Sequence, residues 1–469
     1  MHKIAEAKFS VSIFKAYDIR GKYPDEINEN AVYKIARAFV RYLRLAKAGG
    51  GKIKIILSSD ARISSPALKE SFLDGLQDEG AEVIDAGLTT TPMHYFIVNK
   101  TEADGGAMIS ASHNPAEFNG IKLSKARALP IGEGAGMEEI KNDTMRGIFT
   151  MEEGATMGNV LAHDFLEEYI DFLVEKFSEL QDCNLKIIAD ASNGMTSIIL
   201  RKLFSRFPKI IVEYLHDDLD MTFPNHEADP LKIKNLEDLS DAVIKKHASL
   251  GISFDGDGDR IGFIDENGDV VKGDIITALL TRRFALMYSH KENDVENVPS
   301  VVYDLRASNV VREEIENLGM RPLESRVGHA FIKQLMRKED AVFGGELSGH
   351  YYFKDFFFCD SAIFAALSLL DLVRVSKESL SSLIEPLKRY SKSEEMNFEV
   401  SVKDKVLDSI TAYFKEAKIS YLDGIKIEFP DWWFNLRPSN TENLVRLNIE
   451  AATPELLEEK KKLLFELIK

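Results

Sequence analysis

Short β-branched runs, each ending in an aspartate, recur three times along the chain, at residues 52–60, 186–190 and 301–304. Each run is followed by small polar residues suited to capping a helix and then by an apolar pattern of helical period. The predicted helices span residues 67–79, 196–204 and 310–318. Since the three strand–loop–helix units lie about 110–130 residues apart, a domain-sized spacing, the sequence predicts three related α/β domains.

The last part of the chain has a different pattern. Strands are predicted over residues 394–402 and 425–429, and helices over 409–417 and 454–468, the latter with one apolar face. The polar segment 389–395 is predicted to be a linker. A smaller C-terminal α+β domain therefore follows the three α/β domains. The predicted boundaries are 1–160, 161–270, 271–388 and 389–469.

Composition restricts the class of protein. The 469 residues are 45% hydrophobic and 29% charged, as in ordinary globular chains, and their formal net charge of -17 argues against nucleic acid or anionic membrane surfaces as partners. No secretory signal and no apolar run approaching the ~20 residues of a membrane span is visible. The two cysteines, Cys183 and Cys359, lack metal-type spacing, so we expect buried thiols in a reducing cytoplasm.

Residues 109–123 interrupt the regular pattern. The small apolar run 105–109 predicts a buried strand, and the dipeptides Asn114-Pro115 and Asn119-Gly120 then predict two turns. Ser112 lies centrally among polar groups that could hold an anion. Loops at the ends of buried strands often carry the chemistry of α/β proteins, although a polar surface loop has the same composition.

The segment 254–260 carries carboxylates on alternate residues, Asp255, Asp257 and Asp259, followed by Arg260. Three such groups converge only around a cation, because their repulsion otherwise raises their pKa values or spreads the loop. Oxygen ligands alone favour Mg²⁺. An EF-hand is disfavoured because Arg260 occupies the position that needs glycine and the flanks resemble strands. A solvated acidic loop is the remaining alternative.

Three further segments are weaker signals. Residues 343–350 form a Gly-rich turn in which Glu346 and Ser348 can hydrogen-bond hydroxyls and His350 can move a proton. Arg437 opens a Pro-bent loop, 437–442, that suits a phosphate or, alternatively, caps a helix. Arg20, in segment 14–21, could serve a phosphate or form a surface pair with Asp18.

Taken together and in this order, from Ala16 to Arg446, these segments resemble the α-D-phosphohexomutase family. The most specific motifs are Ser-Ala-Ser-His-Asn-Pro at 110–115 and Asp-Gly-Asp-Gly-Asp-Arg at 255–260. The segments Gly-Glu-Leu-Ser-Gly-His and Arg-Pro-Ser-Asn-Thr-Glu resemble the phosphomannomutase/phosphoglucomutase branch. Phosphoglucosamine mutases usually differ at both.

The resemblance implies a fold and an activity. The fold is three similar α/β/α domains around a central cleft plus a smaller C-terminal α+β domain. The activity is interconversion of hexose 1-phosphate and hexose 6-phosphate, of mannose and/or glucose, through a phosphoserine and a hexose 1,6-bisphosphate intermediate. One Mg²⁺ per chain, and a monomer or homodimer, are expected. A phosphoglucosamine mutase, a Mg²⁺-dependent phosphatase and a non-catalytic sugar-phosphate or metal-binding protein are the alternatives.

The resemblance also implies roles for individual residues. Ser112 would carry the phosphoryl group, and Asp255, Asp257 and Asp259 would hold Mg²⁺ together with a phosphoserine oxygen. Lys122, His350, Arg20 and Arg260 would lie near the transferring group, with Lys122 or His350 handling protons. Glu346 and Ser348 would bind sugar hydroxyls. The substrate or its second phosphate would contact Tyr17, His113, Asn114, Arg306, Arg326, His329, Arg437, Ser439, Asn440 and Thr441. The chain departs from the family at Arg306 and Arg326, where lysine is common. A planar guanidinium there replaces a point charge, so we expect the sugar preference to differ.

Overall fold

The computed structural model describes residues 9–47, 50–149, 157–288, 298–439 and 443–468. The chain folds into two compact units. The first unit contains residues 1–271 and 348–380, and the second contains residues 272–347 and 381–469. No helix in the described part of the chain is long and apolar enough to cross a membrane.

The strands of the first part of the chain are β1 (Ile19–Lys22), β2 (Lys54–Ser59), β3 (Glu82–Leu88), β4 (Gly105–Ile109), β5 (Phe118–Lys125), β6 (Leu129–Pro130), β7 (Val160–Ala162), β8 (Lys186–Asp190), β9 (Ile211–Leu215), β10 (Leu250–Phe254), β11 (Ile261–Asp265) and β12 (Val270–Val271). The later strands are β13 (Ser300–Asp304), β14 (Arg321–Ser325), β15 (Phe343–Gly345), β16 (Tyr351–Phe353), β17 (Cys359–Asp360), β18 (Ser391–Lys392), β19 (Met396–Glu399), β20 (Lys418–Ser420), β21 (Ile425–Glu428), β22 (Trp432–Pro438) and β23 (Leu444–Ala451).

The α-helices of the described residues are α1 (Glu29–Ala46), α2 (Ser65–Asp78), α3 (Thr91–Lys100), α4 (Met137–Arg146), α5 (Leu166–Lys176), α6 (Ser197–Ser205), α7 (Glu237–Lys246), α8 (Gly273–Tyr288), α9 (Asn309–Asn317), α10 (His329–Glu339), α11 (Ala362–Ser376), α12 (Leu380–Ile384), α13 (Lys403–Tyr413) and α14 (Pro454–Ile468).

The first unit contains two sheets that each follow an α/β pattern. In one, the strand order is β1-β5-β4-β2-β3-β7, with β2 parallel to both β3 and β4. In the other, the order is β12-β11-β10-β8-β9, with β8 parallel to both β9 and β10. Because β4 and β10 are buried along their whole length, and β8 at every residue after Lys186, their carboxyl ends present the following loops from a rigid base.

The second unit contains a parallel group and an antiparallel sheet. Strand β13 is parallel to β14 on one side and to β15 on the other. In the C-terminal sheet the order is β18-β23-β22-β21-β20, with β19 also paired to β23. Helix α14 packs its apolar side, including Leu457, Leu464 and Ile468, into the core of this sheet.

The predicted repeat is confirmed: β2, β8 and β13 are each followed by a helix, α2, α6 and α9, within two residues of the predicted bounds. The buried thiols of Cys183 and Cys359 and the strand at 105–109 are also confirmed. Helix α13 begins at Lys403, six residues before the predicted start. The boundaries of the four predicted domains remain a prediction.

Three sequence predictions are wrong. Asn119-Gly120 is not a turn but lies inside β5, because pairing with β1 overrides its turn preference. A side chain at Gly120 would approach the Ile19 carbonyl oxygen to 2.3 Å, so the close strand pairing needs glycine there. Segment 389–395 is not a plain linker, since it contains β18. The alternative of a helix after Arg437 also fails, because the described residues that follow form β23.

Candidate active site

Ser112 lies in the loop between β4 and β5 and is 2% exposed. Its backbone has a φ of 52°, in the left-handed region that non-glycine residues rarely adopt, and its amide donates to Ser110 Oγ at 3.0 Å. Its hydroxyl donates to Asp255 Oδ2 at 3.0 Å and lies 3.1 Å from His113 Nδ1. A strained serine held against a carboxylate is a common feature of functional sites.

Arg62 holds the Ser112 loop in place. Its side chain is fully buried, and its Nε donates to Asp60 Oδ2 at 3.1 Å. Its two terminal nitrogens donate at 2.7–3.1 Å to the backbone carbonyl oxygens of Ser112, Asn114, Pro115 and Phe118. One guanidinium therefore fixes the path of the whole loop, a role that its position after β2 did not reveal.

The acidic loop, residues 255–259, connects β10 to β11. Asp255 Oδ1 accepts three backbone amides at 3.0–3.1 Å, from Gly258, Asp259 and Arg260, and this folds the loop back on itself. Gly256 makes the approach to the serine loop possible, because a Cβ there would lie 2.5 Å from the Ser112 carbonyl oxygen. The two loops are thus in direct backbone contact.

Lys122, on β5, supplies a cation to the acidic loop. Its Nζ donates to Asp257 Oδ2 at 2.6 Å and to Asp259 Oδ2 at 2.5 Å. Burial alone would lower the pKa of Lys122, but the two carboxylates outweigh burial and raise that pKa well above its ordinary value. The side chain is therefore held as an ammonium ion.

The three carboxylates can hold a metal ion. Oxygen atoms of Asp255, Asp257 and Asp259 lie within 4.8 Å of one another, and all three residues are buried. Asp257 Oδ2 accepts from Thr91 Oγ1 at 2.5 Å, but Asp257 Oδ1 is buried without a hydrogen-bond partner among the described residues. Burial and the neighbouring carboxylates of Asp259 and Asp257 raise the pKa of Asp255. These properties fit a hard divalent cation bound by oxygen.

His350 lies beside the acidic loop. Its Nε2 accepts from Arg260 Nε at 3.2 Å and lies 3.4 Å from Asp259 Oδ1, while its Nδ1 lies 2.8 Å from Ser348 Oγ. Nε2 therefore lies between a guanidinium, toward which it acts as an acceptor, and a carboxylate, toward which it acts as a donor when protonated. His113 is held neutral, because burial and then Arg260 and Arg20 keep its pKa well below the ordinary range.

Arg20 lies on β1 and faces the serine loop. Its terminal nitrogens donate to Asn114 Oδ1 at 2.6 Å and to Asp18 Oδ2 at 2.5 Å. Its Nε is buried without a hydrogen-bond partner among the described residues. Tyr17 lies half-buried just before this strand. The pair with Asp18 is therefore present and half-buried, and phosphate binding by Arg20 stays a prediction.

The second unit gathers a different set of groups. Arg306 follows β13 and forms a two-pronged pair with Asp304, through Nε at 3.1 Å and Nη2 at 3.0 Å. Its Nη2 lies 3.7 Å from Glu346 Oε1, and its Nη1 lies 3.6 Å from Glu395 Oε2. Burial alone would lower the pKa of Arg306, but Asp304 outweighs burial and raises it.

Glu395 is the centre of what we call the arginine cluster, which consists of Glu395, Arg306, Arg437 and Arg446. The Glu395 carboxylate accepts from Arg437 Nη2 at 3.2 Å, from Arg446 Nη1 at 3.3 Å and from Asn448 Nδ2 at 3.2 Å. Burial would raise the pKa of Glu395, but Arg437 and Arg306 outweigh burial and lower it. One carboxylate therefore holds three guanidiniums together, and this concentration of positive charge suits an anion.

The remaining predicted residues of this unit are less closely grouped. Arg326 stacks on Phe331 with its guanidinium carbon 4.3 Å from the ring centre, and His329 is the first residue of α10. Ser439 is buried just after β22, and its carbonyl oxygen accepts from Lys403 Nζ at 2.7 Å. Asn440 and Thr441 lie outside the described residues. Glu346 belongs to the second unit, whereas Ser348 belongs to the first.

Sequence reasoning missed three residues that the structure places in these sites, Arg62, Thr91 and Glu395. Each acts across a long stretch of chain, such as the 166 residues that separate Thr91 from Asp257. The one local signal was the Asp60-Ala61-Arg62 sequence directly after a buried strand, which parallels Asp304-Leu305-Arg306 after β13. In both places the arginine pairs with the aspartate two residues before it.

Family models cover most of the chain. Residues 11–150, 167–268 and 272–390 match the models described as phosphoglucomutase/phosphomannomutase, alpha/beta/alpha domains I, II and III. Residues 395–467 match the model described as the C-terminal domain of phosphoglucomutase/phosphomannomutase. Three α/β/α domains and a smaller C-terminal domain, the predicted fold class, are therefore confirmed.

Individual relatives agree with this match. The phosphomannomutase of Methanocaldococcus jannaschii is 39% identical over 456 residues, which cover 96% of this chain and 95% of that protein. A phosphoglucomutase/phosphomannomutase family protein from Burkholderia thailandensis has a crystal structure that matches with a TM-score of 0.87 at 27% identity, covering 98% of both chains. The N-acetylphosphoglucosamine mutase of Aspergillus fumigatus, crystallised with GlcNAc-6P and magnesium, matches with a TM-score of 0.64 at 14% identity, covering 99% of this chain and 96% of that one, and this shows the fold alone.

Proposed function

Because the chain belongs to the phosphoglucomutase/phosphomannomutase family and is a hexose-phosphate mutase, we propose that Ser112 carries the phosphoryl group that is moved between C1 and C6 of the sugar. The observation that carries this proposal is the 3.0 Å hydrogen bond from Ser112 Oγ to Asp255, in a loop that also presents Asp257 and Asp259 and that Lys122 contacts from β5. A phosphoserine at this position would meet cationic groups from several elements.

The proposed reaction exchanges two phosphoryl groups. The phosphoserine Oγ–P bond breaks as a hydroxyl of the hexose monophosphate attacks phosphorus, which gives a hexose 1,6-bisphosphate and a serine hydroxyl. After the intermediate has reversed its orientation, Ser112 Oγ attacks the other phosphoryl group and regains the phosphoserine. Such transfers depend on in-line positioning and charge neutralisation more than on covalent chemistry.

We assign the charge neutralisation to Lys122, Arg20 and Arg260. Lys122 is paired with two carboxylates, which favours a fixed cation over a proton carrier. Arg20 is anchored by Asp18 and Asn114, with a buried Nε that has no hydrogen-bond partner among the described residues. Positive groups aimed at the transferring oxygens stabilise the charge that develops there.

We assign the proton transfer to His350. Its Nε2 lies between Arg260 Nε and Asp259 Oδ1, and its Nδ1 lies beside Ser348 Oγ. A neutral imidazole can take the proton from the attacking hydroxyl and return it to the leaving oxygen. His350→Gln is expected to lower kcat by about 10²–10⁴-fold. His163→Gln is the matched control, since His163 is exposed and contacts Glu168. An unchanged kcat for His350→Gln would exclude this role.

We propose Mg²⁺ as the cation of the acidic loop, one per chain, held by Asp255, Asp257 and Asp259 together with an oxygen of the phosphoserine. The buried Asp257 Oδ1, without a hydrogen-bond partner among the described residues, supports this proposal. When bound, a hard divalent cation withdraws charge from the phosphoryl oxygens. Asp257→Asn is expected to weaken Mg²⁺ binding by at least about 100-fold and to abolish turnover without unfolding the protein. Full activity of this variant at low Mg²⁺ would exclude the assignment.

We propose that the arginine cluster binds the phosphate that is not being transferred. Arg306, Arg437 and Arg446 surround a single carboxylate there, and the buried Ser439 lies close by in sequence. Asn440 and Thr441 complete this part of the proposal from the sequence alone. Glu346 and Ser348 are proposed to contact sugar hydroxyls, and Tyr17, His113, Asn114, Arg326 and His329 to line the substrate site.

The chain is also proposed to form four domains with the boundaries predicted from its sequence.

The substrates are proposed to be mannose phosphates and glucose phosphates. The experiment is an assay with mannose 1-phosphate and with glucose 1-phosphate, each supplied with a trace of its 1,6-bisphosphate. Hexose 6-phosphate and free phosphate are measured in the same samples. Hexose 6-phosphate without free phosphate supports a mutase. Free phosphate as the main product, or no product, would overturn the proposal.

A further inference from the structure

A cluster of two histidines and an aspartate lies in the first unit, apart from the residues assigned above. Asp190 ends β8, and His216 directly follows β9. Since these strands are parallel neighbours with Asp190 paired to Leu215, both side chains start from the same edge of the sheet. His226 reaches them from the following loop. Asp190 is fully buried, and the two histidines are half-buried.

The three side chains are close enough to share one ion. Asp190 Oδ1 lies 3.1 Å from His216 Nδ1, and Asp190 Oδ2 lies 2.9 Å from His226 Nε2. One ligand atom from each residue fits within 4.8 Å of the other two. Zinc bonds of 2.0–2.1 Å in a tetrahedron place neighbouring ligand atoms about 3.3 Å apart. Both Asp190 contacts are close to that spacing, each through a different carboxylate oxygen.

The second nitrogen of each histidine also faces an oxygen. His226 Nδ1 lies 2.8 Å from the Glu227 carbonyl oxygen, and His216 Nε2 lies 3.7 Å from Asp238 Oδ2. Histidine ligands of metals are usually oriented in this way, with the outer N–H directed at a carbonyl or carboxylate and the inner nitrogen at the ion. This outer arrangement is an observation independent of the short Asp190 contacts.

The number of available protons bears on what the inner nitrogens bind. Three oxygen acceptors lie within hydrogen-bond distance of the ring nitrogens, namely Asp190 Oδ1, Asp190 Oδ2 and the Glu227 carbonyl oxygen. Two neutral imidazoles carry two N–H groups, so either at least one ring is protonated or an inner nitrogen gives its lone pair to a cation. A cation held by both inner nitrogens would leave each outer nitrogen with its proton.

We propose that Asp190, His216 and His226 bind a divalent transition-metal ion of the zinc class, with water completing the coordination. Imidazole nitrogen is a ligand that zinc accepts and that Mg²⁺ avoids, so this site and the all-oxygen acidic loop select different metals. The Asp190 carboxylate is held in its charged form, which favours a positive ion beside it. Burial would raise the pKa of Asp190, but His216 and His226 outweigh burial and lower it.

The ion would have a structural role toward the acidic loop. Ser192 N donates to Asp190 Oδ1 at 2.8 Å, and Ser192 Oγ donates at 2.7 Å to the carbonyl oxygen of Phe254, the residue before Asp255. Met195 N donates to the Gly256 carbonyl oxygen at 2.9 Å. A metal on Asp190 therefore fixes the loop 190–196 that supports the backbone of the acidic loop.

The experiment uses the full chain, stripped with a chelator and then supplied with Zn²⁺ in the presence of excess Mg²⁺. After gel filtration, elemental analysis is expected to find one zinc per chain. The double variant His216→Gln/His226→Gln is expected to retain less than a tenth of that zinc. His163→Gln, in which another histidine–carboxylate contact is removed, is expected to retain all of it. Asp257→Asn is also expected to retain all of it, which separates this site from the acidic loop.

A spectroscopic measurement keeps the test valid if the double variant does not fold. Cu²⁺ is added to the wild-type protein with Mg²⁺ in excess, and pulsed electron paramagnetic resonance counts the coordinated imidazoles. Two imidazoles are expected from His216 and His226. His113 and His350 lie near the acidic loop, so the count is repeated on His113→Gln/His350→Gln and is expected to stay at two. No retained zinc in the wild type, equal retention in the double variant His216→Gln/His226→Gln, or loss of the imidazole signal in His113→Gln/His350→Gln would each overturn the proposal. Absence of binding together with a charged His216 or His226 in an NMR titration would identify an imidazolium–carboxylate pair instead.

Discussion

The acidic loop of the first unit and the arginine cluster of the second are built from opposite charges by the same device. In the acidic loop, a single ammonium, Lys122, holds two of three carboxylates together. In the arginine cluster, a single carboxylate, Glu395, holds three guanidiniums together. In each site the central group has the same sign of charge as the expected ligand. Lys122 is a cation in a site that suits a metal cation, and Glu395 is an anion in a site that suits a phosphate.

The comparison suggests how each site is kept ready for its ligand. Like charges gathered in a buried place repel each other unless an opposite charge lies among them. Lys122 and Glu395 provide that charge from within the chain, and both have pKa values shifted toward the charged form. Changing these two residues therefore separates the two sites experimentally.

The largest effect is expected at the residue that would carry the phosphoryl group. Ser112→Ala is expected to lower kcat by about 10⁴-fold or more, as for loss of other covalent nucleophiles. Ser124→Ala is the matched control, because Ser124 lies on β5 and its hydroxyl donates to the Gly106 carbonyl oxygen at 3.4 Å. A steady-state mutase assay measures both. Activity of Ser112→Ala within tenfold of wild type would exclude covalent transfer through this residue.

The next effect is expected at the centre of the acidic loop. Lys122→Met removes a cation from beside the transferring group, so kcat is expected to fall about 10²–10³-fold. The same change removes a competitor for Asp257 and Asp259, so Mg²⁺ is expected to bind more tightly. Calorimetric titration measures this affinity. Lys125→Met is the control, since Lys125 Nζ donates to the Ala135 carbonyl oxygen at 3.2 Å. Weaker Mg²⁺ binding by Lys122→Met would contradict the comparison.

A smaller effect is expected at the centre of the arginine cluster. Glu395→Gln keeps the shape of the side chain but leaves three guanidiniums without their carboxylate, so they spread and bind phosphate less well. The KM for hexose phosphate is expected to rise about tenfold, with kcat changed less than about threefold, as for loss of uniform binding. Glu399→Gln, an exposed change at the end of β19, is the control. A change in kcat without a change in KM would place Glu395 elsewhere in the reaction.

The smallest effect is expected at Arg306. Lysine keeps the positive charge near Glu346 and Glu395 but loses the two-pronged pair with Asp304. The KM of Arg306→Lys is therefore expected to change by no more than about threefold. The ratio of KM values for mannose and glucose phosphates is measured in the same experiment. A tenfold change in that ratio would show that Arg306 selects the sugar.

The sequence predicted the parts of the molecule in which local pattern decides the structure. Runs such as Lys186–Asp190 are apolar, β-branched and bounded by small polar residues, so β8 and its following helix formed as expected. The Asp255–Asp259 triplet was visible for the same reason, because its three ligands are neighbours in sequence. Its convergence with Ser112 followed from the resemblance to known enzymes.

The rest depends on contacts that a single sequence does not display. Asn119-Gly120 has strong turn chemistry, yet it forms a strand because β1 pairs with it. Arg62 binds carbonyl oxygens 50–56 residues away. Glu395 lies in a polar stretch that has linker composition, and its three arginines come from three distant segments. Tertiary pairing decides such residues, not local preference.

The role of Ser112 is tested most directly by a label-transfer experiment. The enzyme is first converted to a ³²P-phosphoserine form with labelled hexose 1,6-bisphosphate, freed of sugar, and mixed with a twofold excess of unlabelled hexose 6-phosphate. Samples quenched over milliseconds are analysed for label on the protein and in the separated sugar phosphates. We expect the label to leave Ser112 and to appear in hexose phosphates at a rate no slower than kcat, while an unlabelled phosphoryl group returns to Ser112. Turnover at the full rate with the label retained on Ser112, or with no phosphoserine ever formed, would contradict phosphoryl transfer through Ser112.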